Sequence, residues 1–196
     1  QGDRVVGALQ LAMAGKHNRM NALAGIVAAG HADVSGAAAL AALAEFRGIK
    51  RRLEVRGVVD GVTVIDDFAH HPTAFEMTIS ALRTSHPQSR IVAVFEPRSN
   101  TMKRGAVNAL LPSSLSNADR VFCFSRGIDW SVAQALEPLG QKATVHDDLG
   151  AMVDAIVAYL KAGDQLVVMS NGAFGDIHAK LLTQLAERAE SAKRAA

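Results

Sequence analysis

The sequence predicts an α/β protein built on a mostly parallel sheet. Stretches rich in β-branched residues alternate with stretches of helical periodicity from about residue 53 to residue 190, as expected of parallel strands joined by helices. Asp60-Gly61 lies between two strand-like runs and is a strong signal for a two-residue hairpin turn. These observations together predict a Rossmann-like sheet that begins with an antiparallel hairpin.

The N-terminal part of the chain is predicted to be mostly helical. Residues 5–13 form a possible strand, and residues 20–28 have apolar side chains at helical spacing. Taken alone, Asn18 is expected to be the N-cap of that first helix. Ser35 is expected to cap a second, alanine-rich helix over residues 36–46.

The composition changes near residues 48–52, where we place a boundary between a first domain, residues 1–50, and a second domain, residues 51–196. After the hairpin, Pro72 can occupy a first helical turn, and Thr73-x-x-Glu76 has the spacing of a capping box. The second domain is expected to contain strands at 50–56 and 62–65, helix 73–84, strand 90–96, helix 104–111, strand 120–125, helix 130–137, strand 143–146, helix 148–161, strand 165–170 and helix 174–190.

Composition and charge disfavour several classes of protein. The net charge of +2 over 196 residues is too small to indicate a nucleic-acid partner. The longest run of small apolar residues, 22–30, is far shorter than the ~20 residues that span a bilayer, and the N-terminus lacks the features of a signal peptide. Cys123 is the single cysteine and lies in an apolar strand, which predicts a packed core thiol. We therefore expect a cytoplasmic protein with a small-molecule or peptide partner and no membrane contact.

Four polar residues follow the second hairpin strand: Asp66, Asp67, His70 and His71. Because adjacent strand residues point to opposite faces, one of the two carboxylates is expected to be structural. Two adjacent imidazoles face apart, and no further ligand lies at a suitable spacing, so no metal site is predicted. A carboxylate that orients a ribose or an imidazole is favoured, and His70 is the candidate catalytic side chain.

A second polar stretch follows the predicted strand 90–96, at residues 96–103. Arg98 offers a planar fork for a carboxylate or a phosphate, and Lys103 adds a point charge. The side chains of Ser99, Asn100 and Thr101 offer short polar contacts. This pattern indicates a recognition loop, and the alternative is a solvated turn with a helix cap.

A third stretch, residues 166–178, has a buried strand and a glycine-bearing turn that leads into a helix. Gly172 and Gly175 allow the backbone to approach a ligand at the helix N-terminus, although this signal alone is weak. The sequence has neither Gly-x-Gly-x-x-Gly here nor the Gly-x-x-x-x-Gly-Lys-Ser/Thr phosphate loop anywhere. His178 is expected to be an ordinary surface or core histidine.

Taken together, these stretches resemble the ATP-dependent Mur ligases. The matching segments occur in family order at residues 15–21, 46–48 with 52–54, 66–73, 96–103 and 170–175. The fourth segment points to the branch that joins the tripeptide L-Ala-γ-D-Glu-meso-diaminopimelate to UDP-N-acetylmuramate in peptidoglycan recycling. The runner-up is the branch that adds L-alanine to the same sugar, and a rival class is a non-catalytic α/β nucleotide- or peptide-binding module.

The resemblance implies a domain assignment and a reaction. Residues 1–50 would be a short helical remnant of a central ATPase domain, and residues 51–196 a complete C-terminal Rossmann-like domain. ATP would phosphorylate the muramate carboxylate, and the peptide amine would displace phosphate from that acyl phosphate. The UDP-sugar site, the phosphate loop and the Mg²⁺ ligands would lie in missing upstream domains, so the chain alone is expected to be inactive.

The resemblance also implies roles for individual residues. By the family pattern, the residues near the adenine would be His17, Asn18 and Asn21, and those near the ribose and phosphates would be Arg52 and Asp67. The residues that receive the incoming amine substrate would be Arg98, Ser99, Asn100, Thr101, Lys103, Ser170, Asn171 and Phe174.

Overall fold

The computed structural model describes residues 5–13 and 15–195. The chain divides into two compact units, Gln1–Lys50 and Arg51–Ala196. The first unit contains helices α1, Lys16–Gly30, and α2, Gly36–Glu45. The Oγ of Ser35 accepts a 3.3 Å hydrogen bond from the N–H of Ala38, so the predicted cap of α2 is confirmed.

Two expectations for the first unit are wrong. Residues 5–13 contain no strand. The N-cap of α1 is Gly15, with φ of 98°, and no side chain makes a cap hydrogen bond to this helix. Asn18 therefore lies inside the first turn. Glycine adopts such a φ at little cost, which lets the helix begin earlier than the polar pattern indicated.

The second unit is built on a six-stranded sheet. Its strands are β1 Glu54–Val59, β2 Val62–Asp67, β3 Ile91–Phe95, β4 Arg120–Phe124, β5 Ala143–His146 and β6 Gln165–Met169. They lie in the order β1-β2-β6-β3-β4-β5. β1 is antiparallel to β2, and every other neighbouring pair is parallel, so the predicted fold class is confirmed. The turn residues Asp60 and Gly61 both have positive φ, 53° and 72°, as a two-residue hairpin requires.

Helices cover both faces of the sheet. The helices of this unit are α3 Pro72–Ser85, α4 Asn100–Lys103, α5 Leu111–Leu115, α6 Val132–Leu136, α7 Leu149–Tyr159 and α8 Ile177–Ala195. Because side chains alternate between the two faces of a strand, Ile91, Ala93 and Phe95 of β3 pack with α3, α5 and α6, whereas Val92 and Val94 pack with α7 and α8. No helix among the described residues is long and apolar enough to cross a membrane.

The single helix predicted over residues 104–111 is wrong. The chain instead forms the short α4, a turn at Gly105, a 3-10 turn at Asn108–Leu110 and then α5. Gly105 has φ of 69°, and a Cβ there would lie 3.2 Å from the ring of Trp130. A left-handed residue held against an aromatic ring interrupts the helix, and helical periodicity alone does not reveal it.

Backbone geometry also shifts the ends of three other elements. β1 begins at Glu54 rather than at residue 50, because Arg51 and Leu53 have left-handed φ values of 59° and 50°. The predicted capping box of α3 does not form, since His71 is the N-cap and makes no side-chain cap hydrogen bond. Phe174–Asp176 is a separate turn with positive φ throughout, so α8 begins after it.

Candidate functional site

The sheet order brings together the loops that follow three of its strands. β6 lies between β2 and β3, and the three strands are parallel. Their carboxyl ends therefore meet at one edge of the sheet, where open α/β sheets bind ligands. We call residues 68–71, 96–99 and 170–173 the carboxyl-edge loops. All three polar stretches identified in the sequence of this unit thus lie side by side.

A short hydrogen-bond chain joins two of these loops. The Oγ of Ser170 donates to Oε1 of Glu96 at 2.5 Å and accepts from the N–H of Gly172 at 2.9 Å. Ser170 is 1% exposed, so this contact is almost free of competing water. The end of β3 and the turn after β6 are thereby held in a fixed relation.

Arg98 is exposed, and its guanidinium packs against Gly172 so closely that a Cβ at that glycine would overlap it. The N–H of Arg98 donates to the carbonyl of Glu96 at 2.9 Å, which shapes the turn at the end of β3. The absence of a Cβ at Gly172 lets the guanidinium lie directly against the backbone, and a larger residue there would make this exposed side chain move. The result is a cationic fork at the carboxyl edge, supported from below by backbone.

The remaining residues of this loop have different environments. The Oγ of Ser99 accepts from the N–H of Met102 at 3.3 Å and caps α4, and it donates to the carbonyl of His70 at 3.4 Å. Ser99 therefore caps a helix, and its contact with a substrate stays a prediction. The side chains of Asn100, Thr101 and Lys103 are exposed.

The turn after β6 contains two buried groups, one polar and one aromatic. Oδ1 of Asn171 is buried and has no hydrogen-bond partner among the described residues. Phe174 is 2% exposed and packs 5.9 Å from the ring of Phe124, so it contributes to the core beneath the loop.

Asp66 and Asp67 are each 3% exposed and face different partners. Asp67 accepts hydrogen bonds from the N–H of Leu53 at 2.9 Å and of Ala69 at 2.8 Å, and from the hydroxyl of Thr78 at 3.1 Å. Both oxygens of Asp67 are thus occupied within this unit.

Asp66 instead lies beside three basic side chains. Its carboxylate oxygens are 3.4 Å from Arg51, 3.5 Å from Arg56 and 3.5 Å from His178. Burial lowers the pKa of His178, Asp66 counteracts this shift, and the two arginines add to it. These side chains line one wall of an open cleft of about 490 Å³ that reaches the turn after β6.

The imidazole rings of His70 and His71 have different environments. Nδ1 of His70 lies 2.9 Å from the carbonyl of Phe68, and its ring packs edge-on against the ring of Phe68. His71 ends the loop as the N-cap residue of α3. Among the described residues, no group of three or more His, Cys, Asp or Glu side chains is arranged to hold a metal ion.

Arg51 is the functional candidate that the sequence did not single out. Its NH2 group donates to the carbonyls of Ser170 at 2.6 Å and Gly172 at 2.9 Å. The neighbouring Arg52, which was singled out, is exposed and lies with its guanidinium 5.6 Å from the ring centroid of Phe68. No local sequence signal distinguishes the two arginines, because the partners of Arg51 lie 119 and 121 residues away.

The three residues predicted near an adenine belong to the first unit. His17 and Asn18 are half-buried and Asn21 is exposed, and all three lie on α1. Asn18 and Asn21, three residues apart, share one face of that helix.

The sheet order and the helices on both faces define an α/β domain of the doubly wound class, a class that binds ligands at the carboxyl edge of its sheet. A family model described as "Mur ligase, glutamate ligase domain" matches residues 51–172, more than half of the chain. The chain therefore belongs to the Mur ligase family.

Relatives with stated activities are similar over nearly the whole chain. UDP-N-acetylmuramate–L-alanyl-γ-D-glutamyl-meso-2,6-diaminoheptandioate ligase of Escherichia coli (strain K12) is 47% identical over 190 residues, 96% of this chain and 42% of that protein. UDP-N-acetylmuramate–L-alanine ligase of Roseiflexus castenholzii is 34% identical over an alignment of 206 positions, which covers 98% of this chain and 42% of that protein.

A solved structure agrees with this relationship. A murein peptide ligase from Psychrobacter arcticus superposes with a TM-score of 0.72 and 37% identity, over 94% of this chain and 40% of that one. The chain spans less than half the length of these relatives.

Proposed function

We propose that this chain supplies the C-terminal region of a cytoplasmic, ATP-dependent ligase that joins L-Ala-γ-D-Glu-meso-diaminopimelate to UDP-N-acetylmuramate. The observation that carries the proposal is the exposed Arg98 fork held against Gly172 at the carboxyl edge. A peptide that ends in diaminopimelate carries several carboxylates, and a guanidinium can bind one of them through two parallel hydrogen bonds. The 47% identity to a ligase named for this tripeptide supports the same substrate.

In the proposed reaction, ATP converts the muramate carboxylate into an acyl phosphate. The amine of the peptide attacks the acyl carbon, and the tetrahedral intermediate expels phosphate to leave an amide. Such chemistry depends mainly on positioning and on charge stabilisation. We propose that residues 51–196, as the C-terminal domain, bring the amine to a site completed by other domains, and that residues 1–50 belong to the ATPase domain.

Roles for the edge residues follow from their positions. Arg98, Asn100, Thr101 and Lys103 expose polar groups that would contact the peptide. Ser99 would stabilise the start of α4 rather than contact the ligand, because its hydroxyl already donates one hydrogen bond and accepts another. Additional contacts to the peptide are proposed for the turn that contains Ser170, Asn171 and Phe174.

The nucleotide would lie toward the turn at residues 51–53. Arg52 is exposed in this turn and would contact the ribose and phosphates. Asp67 accepts a hydrogen bond from the N–H of Leu53, so Asp67 would stabilise the turn in the conformation that binds them. On α1, His17, Asn18 and Asn21 would contact the adenine, and His70 remains the candidate for a catalytic contact. As the relationship to the Mur ligases implies, the Mg²⁺ ligands would come from elsewhere in the ligase.

A chimera tests the proposal. The upstream part of the E. coli relative would be joined to this chain, and amide product would be measured with ATP, Mg²⁺, UDP-N-acetylmuramate and tripeptide. We expect turnover by the chimera and none by the 196-residue chain alone, since its sequence contains no phosphate loop.

Other outcomes would favour the alternatives. A folded chimera that uses L-alanine as well as tripeptide would indicate the alanine-adding branch. A folded but inert chimera, together with tight binding of ATP or tripeptide by the chain alone, would indicate a non-catalytic binding module.

A further inference from the structure

We infer that Arg51 is a positioning residue that ties the turn at residues 51–53 to the loop after β6 and thereby supports Arg98. This inference rests on the proposed function, because it assigns residues 51–53 to the nucleotide side and Arg98 to the peptide side. Arg51 itself would touch neither substrate.

The side chain of Arg51 bridges two carbonyl groups of one loop. Its NH2 group donates to Ser170 at 2.6 Å and to Gly172 at 2.9 Å, while its Nε faces Asp66 at 3.4 Å. The two carbonyls belong to the residues on either side of Asn171, so a single guanidinium sets the curvature of the loop. The side chain is 29% exposed, which limits the competition from water.

The backbone of Arg51 also makes hydrogen bonds on both sides of the residue. Its N–H donates to Oε2 of Glu54 at 2.8 Å, and its carbonyl accepts from the N–H of Phe68 at 2.7 Å. Its φ of 59° is one that non-glycine residues rarely adopt. A strained conformation of this kind persists only where surrounding contacts determine it, and such residues cluster at functional sites.

Gly172 contacts both Arg51 and Arg98 and so connects Arg51 to the proposed peptide site. Arg51 holds its carbonyl, Ser170 holds its N–H, and the guanidinium of Arg98 packs over its Cα. A displacement of the turn at residues 51–53 would therefore pull on the backbone that supports Arg98. This connection links the nucleotide side to the peptide side through two consecutive contacts, from Arg51 to Gly172 and from Gly172 to Arg98.

Lysine is not expected to replace Arg51. An ammonium group is a point charge and does not offer the planar fork that reaches two carbonyls and a carboxylate in one plane. Arg56 provides a matched control, because it also lies beside Asp66, at 3.5 Å, and makes no hydrogen bond to the loop after β6 among the described residues.

The test compares Arg51→Ala, Arg51→Lys and Arg56→Ala in the chimera. We expect both Arg51 variants to raise KM for tripeptide about 10-fold, with KM for ATP and kcat changed less than about 3-fold. The Arg56→Ala variant is expected to retain the wild-type KM for tripeptide. An unchanged tripeptide KM in a folded Arg51→Ala enzyme, full rescue by lysine, or an equal rise in both KM values would overturn the inference.

A second measurement does not depend on ligase activity. In amide NMR spectra of the 196-residue chain, Arg51→Ala is expected to shift the signals of Gly172 and Arg98, whereas Arg56→Ala leaves them nearly unchanged. Shifts of equal size in both variants would contradict the bridging role. If the wild-type chimera is inactive while these shifts occur, the proposed function fails and the structural link stands.

Discussion

Ser170 and Glu96, 74 residues apart in sequence, are joined by a 2.5 Å hydrogen bond across the carboxyl edge of the sheet. Because the same hydroxyl accepts from the N–H of Gly172, one buried side chain fixes the ends of two strands and the turn beside Arg98. The site thus depends on a polar contact that is also part of the fold.

Ser170→Ala is expected to destabilise the second unit. The change leaves Glu96 without this donor and the N–H of Gly172 without its acceptor, at a cost of about 1–3 kcal/mol in the free energy of unfolding. Urea unfolding followed by the fluorescence of Trp130, the single tryptophan, would measure it. Ser113→Ala is the control, because that exposed hydroxyl bonds only to the nearby carbonyl of Leu110. Equal stability of the two variants would contradict the prediction.

Asp67→Ala is expected to cost more, about 3 kcal/mol, because three donors lose a charged acceptor. Thr78→Val removes only one of these donors and is expected to cost about 1 kcal/mol. The same urea experiment distinguishes the two. If Asp67→Ala were as stable as the wild type, its carboxylate would not serve the fold in the way the contacts indicate. As a control, Asp154→Asn alters an exposed carboxylate that contacts Gln184.

His178 is expected to make stability depend on pH. Burial lowers the pKa of His178 below its ordinary value of 6.5, so the unfolded chain binds a proton more readily than the folded one. Its contribution to stability is therefore complete above pH 6.5 and is lost as the pH falls through the lower, folded pKa.

Urea midpoints at about pH 7.5 and pH 5.5 would measure this effect. His178→Gln is expected to lose less stability than the wild type over this interval. Burial also lowers the pKa of His146, which stays in both proteins, so the difference isolates His178. The control is His86→Gln, at an exposed position. An identical loss in wild type and His178→Gln would contradict the prediction.

The sequence predicts the architecture well because strand and helix periods reflect burial directly. Alternation on β3 and the turn at Asp60-Gly61 both follow from rules that act within a few residues. The helix predicted around Gly105 is wrong because this glycine has a left-handed backbone and lies close against the ring of Trp130, 25 residues further along the chain. Local patterns carry no information about such a neighbour.

The candidate site is predictable only in part, for a related reason. Polar residues that follow a strand indicate a carboxyl edge, so the loops at Arg98 and Ser170 were found. The two hydrogen bonds from Arg51 to the loop after β6 join residues 119 and 121 positions apart, and only the folded sheet brings them together. Likewise, the sequence predicts that one of Asp66 and Asp67 is structural but does not indicate that Asp67 is the one surrounded by three donors of its own unit.

The last prediction concerns Arg98 and decides between the tripeptide and L-alanine as substrate. L-Alanine has one carboxylate, whereas the tripeptide has several. The planar guanidinium of Arg98 can bind an additional carboxylate of the tripeptide through two parallel hydrogen bonds, and L-alanine has no such additional group. In the chimera, Arg98→Lys keeps the charge and loses the fork. It is therefore expected to lower kcat/KM for tripeptide nearly as much as Arg98→Ala, by about 10- to 100-fold.

Product formation with tripeptide and with L-alanine would be compared in the wild-type chimera and in both variants. Arg104→Lys is the matched control, because Arg104 is also exposed and ends α4 through its backbone N–H. We expect the control to use tripeptide as the wild type does, and the wild type to prefer tripeptide. An Arg98→Lys enzyme as active as wild type on tripeptide would exclude bidentate recognition at this position, because a point charge would then suffice.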